Sequence, residues 1–124
     1  MGQGATSFES IRLTPALGAE IRGLDLSVEL DEAITDSLYD ALLEHHVLVL
    51  RGGPLPPARL EALGSTFGPL APAHHTYPNV DGYPSVTVLD TGPGNPPDNA
   101  EWHTDLSFRS DRPFLSILQP DIRP

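Results

Sequence analysis

The chain has 124 residues, enough for one ordinary domain with a modest core. Its 17 Asp and Glu against 7 Lys and Arg give a formal net charge of −10, a surface that repels nucleic-acid phosphate and anionic lipid and argues against either as a partner. There is no cysteine for a disulfide or a thiolate-held metal, and neither a signal-like N-terminus nor a window of about 20 apolar residues, so a cytoplasmic protein is the expectation.

Residues 1–10 are small and polar and read as a flexible terminus ahead of a folded part spanning 11–124. Ile11–Leu13 alternates and Ala19–Arg22 extends again, which predicts two short strands around a Pro15–Gly18 turn. Asp31 is a good N-cap, and Glu32 puts a carboxylate at the positive helix end. Ile34, Leu38, Ala41 and Leu42 form one apolar stripe, so a helix runs from Asp31 to about His45 and His46. Adjacent histidines on a helix point about 100° apart and do not readily share one ion. The pair is read as a helix C-terminus, where an imidazole suits the negative end of the dipole.

Val47–Leu50, four apolar residues before the turn Arg51–Pro54, predicts a core strand buried on both faces. Pro56 and Pro57 open a second helix with Leu60, Leu63 and Phe67 on one side, and Gly68 is expected as the left-handed residue that ends it. Pro69–Pro78 holds His74, His75 and Tyr77 in a proline-stiffened loop of the kind that lines a site, with a solvated surface loop as the plainer alternative. Asp81-Gly82 marks a turn and Val86–Leu89 a strand. Phe114, Leu115, Ile117 and Leu118 form an apolar strand-like run before the connector Pro120–Pro124, where a fragment or truncated reading frame is the expectation.

The most informative stretch is Asn95–Asp105. Pro96 and Pro97 stiffen a loop that runs into an extended segment, on which His103 and Asp105 stand two apart and so share a face. An imidazole nitrogen beside a carboxylate oxygen suits a divalent first-row ion. Two His and one carboxylate on one face leave open positions for substrate and oxygen, as in non-haem Fe(II) oxygenases. By spacing alone, the plainer reading is that Asp105 accepts a hydrogen bond or caps a turn. A zinc hydrolase on the same pair is disfavoured, because no nearby HxxxH or extra ligand completes a tetrahedral site. Trp102 is either a shield that excludes water from the pair or an ordinary core aromatic.

Leu17–Leu26, His46–Arg51, Phe67–Leu70, Val88–Thr91 and, above all, Asn95–Asn99 running into Trp102–Asp105 follow one another in the order and spacing of a known family. In these the chain resembles the TauD/TfdA (taurine dioxygenase) family of Fe(II)- and 2-oxoglutarate-dependent dioxygenases, from about Leu13 to Gln119. The resemblance implies an α+β fold: the N-terminal part of a double-stranded β-helix (a clavaminate synthase-like jelly-roll) with flanking helices, in incomplete form. It implies His103 and Asp105 as Fe(II) ligands and Asn99 beside both 2-oxoglutarate and the substrate. Tyr77 would line the substrate pocket, Leu106 would pack on the substrate, and His74 would contact its sulfonate, in a register that His75 leaves open.

The co-substrates so implied are 2-oxoglutarate and O2. The reaction releases succinate and hydroxylates a carbon beside a sulfonate, sulfate ester or ether oxygen of a small molecule, which then sheds its leaving group. The family's third ligand, a distal His, and the Arg that clamps 2-oxoglutarate lie downstream of Pro124. None of His45, His46, His74 and His75 stands in the third-ligand position. The expectation is therefore a truncated part of the enzyme, inactive alone. The alternative is a non-catalytic binding or assembly module that forms a homo-oligomer through an exposed sheet edge.

Overall fold

The structure, a computed structural model, describes residues 7–97 and 101–121. These belong to two compact units that divide after Pro69. In the first, β1 (Glu9–Arg12) and β2 (Ala19–Arg22) pair antiparallel, with Glu9 opposite Arg22 and Arg12 opposite Ala19. β1 begins two residues before the predicted alternation. The turn between the strands is closed by Leu13 N–H donating to the Gly18 carbonyl at 3.0 Å. The Thr14 hydroxyl helps by donating to the Leu17 carbonyl and accepting from the Leu17 N–H. Gly18 sits at φ +91°, a conformation that L side chains rarely adopt.

β2 pairs on its other side, in parallel, with β3 (Leu48–Leu50), Ala19 opposite Leu48. A parallel pair needs a crossover, and α1 (Glu32–His45) lies within it. Asp31 caps α1 in an extended conformation and accepts from the Ile34 N–H at 2.8 Å, as its position predicts. Ile34, Leu38 and Ala41 are buried, and His45 extends the same stripe by one more turn. Ile21 joins Ile34, Leu38 and Ala41 in the core, with Phe8, Leu24, Leu30, Leu48, Leu50 and Phe67 packed around them. The helix ends at His46, whose φ of 66° is left-handed and whose N–H returns to the Leu42 carbonyl at 2.7 Å. That C-cap is more often a glycine.

Two expectations shift here. β3 is half-buried rather than buried on both faces: Val47 is exposed, and the order β1-β2-β3 puts β3 at the sheet edge. An apolar run records how much cover a segment can use; among the described residues only β2 pairs with this one. α2 (Pro57–Ser65) starts at Pro57 as predicted, but Gly68 does not cap it. Thr66 is still right-handed, and Phe67 N–H to Gly64 O (3.1 Å) and Gly68 N–H to Ser65 O (3.4 Å) tighten the exit into three-residue turns. Arg51, just past β3, pairs with Glu20 at 3.6 Å, while Arg22 holds the same carboxylate at 3.1 Å. Arg22 foremost, and then Arg51, keep Glu20 below the usual carboxylate range.

In the second unit, β4 (Asn79–Val80) and β5 (Tyr83–Thr87) form a hairpin about Asp81-Gly82, with Gly82 at φ 80°. The turn was legible, but the strand lies earlier than Val86–Leu89, because a hairpin ladder starts at its turn and not at its most apolar residues. Residues 113–119 form no strand, and Phe114 and Leu118 are 62% and 80% exposed. An extended apolar run becomes a strand only where another strand takes its N–H and C=O groups in a ladder, and among the described residues no strand ladder includes this segment. The described strands thus make one mixed three-stranded sheet and one hairpin. These are too few for a jelly-roll, which takes about eight strands. No described helix is long and apolar enough to cross a membrane.

Leu38, 1% exposed, sits at the centre of the first unit's core. Leu38→Ala should cost about 2–5 kcal/mol in a urea titration. Leu43→Ala on the same helix, at a 51% exposed position, should stay within about 0.5 kcal/mol. Equal losses would contradict this packing.

Candidate functional site

The described candidate residues all lie in the second unit; Asn99 lies outside the described residues. Residues 102–104 carry no strand pairing, and 105–108 form a turn, with Arg109 N–H donating to the Leu106 carbonyl at 3.0 Å. The expected side-by-side pair nonetheless forms: His103 Nε2 is 3.1 Å from Asp105 Oδ1.

A second bond makes that pair specific. His103 Nδ1 lies 2.6 Å from the Glu101 carbonyl oxygen. A carbonyl only accepts, so Nδ1 carries a proton and Nε2 is the nitrogen turned towards Asp105. The Glu101 carbonyl foremost raises the His103 pKa above its ordinary value, with Asp105 adding to the rise and desolvation opposing it.

The same geometry, with Nε2 deprotonated, offers two metal donors. Bonds of about 2.1 Å set at a right angle put donor atoms about 3.0 Å apart, close to the 3.1 Å between Nε2 and Oδ1. A ligating histidine characteristically donates its other N–H to a carbonyl or carboxylate, the part that Glu101 plays here. The donor set therefore fits a divalent ion. No group of three His, Cys, Asp or Glu gathers for a metal among the described residues.

The chain turns directly after Asp105. Leu106 takes φ 48°, a left-handed conformation that costs a bulky residue about 1–3 kcal/mol and tends to accompany functional sites. Its side chain is half-buried. Trp102 corrects both expectations made for it: at 104% relative exposure it neither shields the pair nor enters a core. No described segment packs over it, so the ring faces solvent.

The second cluster is in the 74–77 loop. His74 Nδ1 accepts from the Thr76 N–H (3.0 Å) and the Tyr77 N–H (3.1 Å). Its proton is therefore on Nε2, and that edge is a hydrogen-bond donor. Tyr77 packs on the His74 ring at 4.7 Å, and His75 stacks on it at 4.5 Å. His75 also meets Phe108 in a T-shaped contact at 6.1 Å, which joins this loop to the turn that begins at Asp105. The structure thus brings His74 and Tyr77 together, and His103 and Asp105 together. Leu106 shares its turn with Phe108.

Sequence reasoning missed Glu101, which acts through its backbone, and Phe108, three residues past Asp105 on the turn. It placed His75 in a loop of the kind that lines a site but gave it no contact of its own. His45 and His46 remain at a helix terminus, as expected.

Comparison with known proteins gives a consistent answer. The family model for the taurine catabolism dioxygenase TauD, TfdA family matches residues 9–120. The chain is 40% identical over 115 residues to an alkylsulfatase of Acinetobacter baylyi, covering 91% of this chain and 35% of that protein. It is 37% identical over 109 residues to an alpha-ketoglutarate-dependent sulfate ester dioxygenase of Pseudomonas putida, covering 87% and 35%. A solved taurine dioxygenase from Burkholderia xenovorans superposes with a TM-score of 0.60 at 31% identity, over 63% of this chain and 28% of that one. At 35%, the chain spans about a third of the length of the curated relatives it matches.

The charge pairing at His103 has a direct readout. In a pH titration followed by ring 15N shifts, His103 should change protonation above the ordinary imidazole range, and Asp105→Asn should lower its midpoint. Because the folded-state pKa is raised, the linked stabilisation is full below the unfolded imidazole's range and is lost as pH rises through the folded midpoint. Coincident midpoints in the two proteins would contradict the pairing.

Proposed function

The chain belongs to the taurine catabolism dioxygenase TauD, TfdA family, and from that premise we propose that it supplies the iron-ligand pair and head-group subsite of an Fe(II)- and 2-oxoglutarate-dependent dioxygenase acting on small sulfate esters or sulfonates. The observation that carries the reading is His103 Nε2 at 3.1 Å from Asp105 Oδ1, with Nδ1 tied to the Glu101 carbonyl. Sulfate esters are placed first because the two curated relatives named for them are 40% and 37% identical, against 31% for the taurine dioxygenase.

Each residue then has a task. His103 and Asp105 hold Fe(II), and Glu101 keeps the His103 ring in the tautomer that frees Nε2. His74, with Nδ1 already satisfied by two backbone N–H groups, donates from Nε2 to an anionic oxygen of the head group. Tyr77 and Leu106 line the substrate's apolar part, and Asn99 lies beside 2-oxoglutarate and the substrate. Iron held there would supply the oxidation with 2-oxoglutarate and O2: 2-oxoglutarate would leave as CO2 and succinate, which takes one oxygen atom, and the other would become a hydroxyl on the carbon next to the head group. That hydroxylated carbon then collapses to an aldehyde as sulfate, or sulfite from a sulfonate, departs.

In this reading residues 11–124 are the N-terminal portion of the domain. The whole protein closes a double-stranded β-helix and brings the third ligand, and the 124-residue chain by itself is inactive. The acidic net charge of −10 supports small-molecule partners over nucleic acid or membrane, and a cytoplasmic location goes with them. The exposure of Trp102, Phe108 and Leu118 favours a second reading, an assembly module. That module would give a defined homo-oligomer by light scattering.

Given Fe(II), 2-oxoglutarate, O2 and an alkyl sulfate, a protein that carries this region within the full family domain should release succinate and sulfate in step. His103→Ala or Asp105→Ala should cut turnover by more than about 100-fold, beyond the usual loss on removing only a ligand's supporting group. Sulfate released without succinate, or full activity in either variant, would contradict the proposal.

A further inference from the structure

The proposed reaction gives His75 no part, yet its ring touches both halves of the site. On one side it lies nearly flat on His74, with ring centres 4.5 Å apart and planes inclined by 21°. On the other it meets Phe108 at 6.1 Å and 87°. Both are favourable aromatic geometries, stacked and T-shaped. His74 is pinned to its own loop by the Thr76 and Tyr77 N–H groups, so its Nε2–H has a fixed direction relative to that loop. Phe108 belongs to the turn that starts at Asp105 and is closed by Arg109 N–H on the Leu106 carbonyl. A continuous path therefore runs from the His74 donor through His75 and Phe108 to the turn that begins at Asp105.

We propose that His75 is a positioning residue, a clamp that holds the 74–77 loop on the 105–108 turn through Phe108 and so registers the His74 donor against the His103–Asp105 pair. The proposal rests on the reading of His74 as the head-group contact. It gives the clamp a role in selectivity, because the carbon to be oxidised is bonded directly to sulfur in a sulfonate and is separated from it by one oxygen in a sulfate ester. A fixed span between donor and ligand pair suits one of these better than the other.

The test is a double-mutant cycle on the 124-residue chain, read by the ring 15N shifts of His74. Phe108→Ala should move the His74 resonances when His75 is present and leave them unmoved in the His75→Ala background, and His75→Phe should restore the coupling. A Phe108→Ala effect on His74 that is the same with and without His75, or absent in both, overturns the clamp. Titration with methyl sulfate adds a functional arm. In the unmodified chain His74 and Phe108 should respond with one midpoint, and His75→Ala should weaken binding about threefold, the equivalent of one aromatic pair, and silence the Phe108 response. Methyl sulfate that leaves His74 unmoved in the unmodified chain overturns the head-group reading and not the clamp, which the cycle decides by itself.

Discussion

The hydrogen bond from His103 Nδ1 to the Glu101 carbonyl is the constraint on which the site's chemistry depends. An imidazole free to rotate presents either nitrogen to Asp105, or neither. With Nδ1 committed at 2.6 Å, only Nε2 is left to meet the carboxylate, at 3.1 Å. The same bond serves two states. With Nε2 protonated it raises the His103 pKa above its ordinary value beside Asp105; with Nε2 deprotonated it leaves a nitrogen lone pair and a carboxylate oxygen a right-angle span apart. A proton and a divalent ion compete for one position, so acid should weaken metal binding here.

The two units are held together by different physics. Every buried apolar residue among those described lies in the first: Ala19, Ile21, Ile34, Leu38, Ala41 and Leu63. There a parallel strand pair and its crossover helix bury a common face, and stability comes from area removed from water. The second unit leaves Leu89, Trp102, Phe108, Phe114 and Leu118 more than half exposed. Its order comes from local polar contacts: the hairpin ladder, the His74 ring held by two N–H groups, the closed 106–109 turn, and Arg109 on Asp111 at 2.7 and 2.9 Å. Such local bonds give geometry without much cooperativity, and segments built this way open more readily than a packed core. That makes the aromatic contacts among His74, His75 and Phe108 important to the site, because they join parts of it that are distant in sequence.

How much of this was legible in the sequence depends on which force sets each feature. α1 could be read end to end, since Asp31 caps it through its own side chain and the 3.6-residue period of Ile34, Leu38 and Ala41 is a local signal. The Asp81-Gly82 turn was legible for the same reason. The strands were less so. Val47–Leu50 and Phe114–Leu118 are both strongly apolar, yet one pairs at a sheet edge and the other enters no strand ladder among the described residues, because pairing is a property of the partner. At the site, the spacing of His103 and Asp105 predicted their meeting. The segment is irregular, however, and the bond that orients the ring comes from a backbone carbonyl, which no side-chain pattern can announce. His46 in the left-handed region shows the same limit, since its conformation is imposed by the capping bond to Leu42.

The central claim is that His103 and Asp105 form a metal-binding pair, and Mn(II), a divalent stand-in for iron with strong paramagnetic relaxation, tests it most directly. Added in small amounts to the 15N-labelled chain, it should broaden His103 and Asp105 first, and His103→Ala should abolish that focus. An acidic chain with a net charge of −10 provides its own control, because nonspecific binding would favour carboxylates elsewhere, such as Asp25, Glu29 and Asp31 beside one another in the 24–31 loop. Broadening centred on those residues, or unchanged by His103→Ala, would contradict the account.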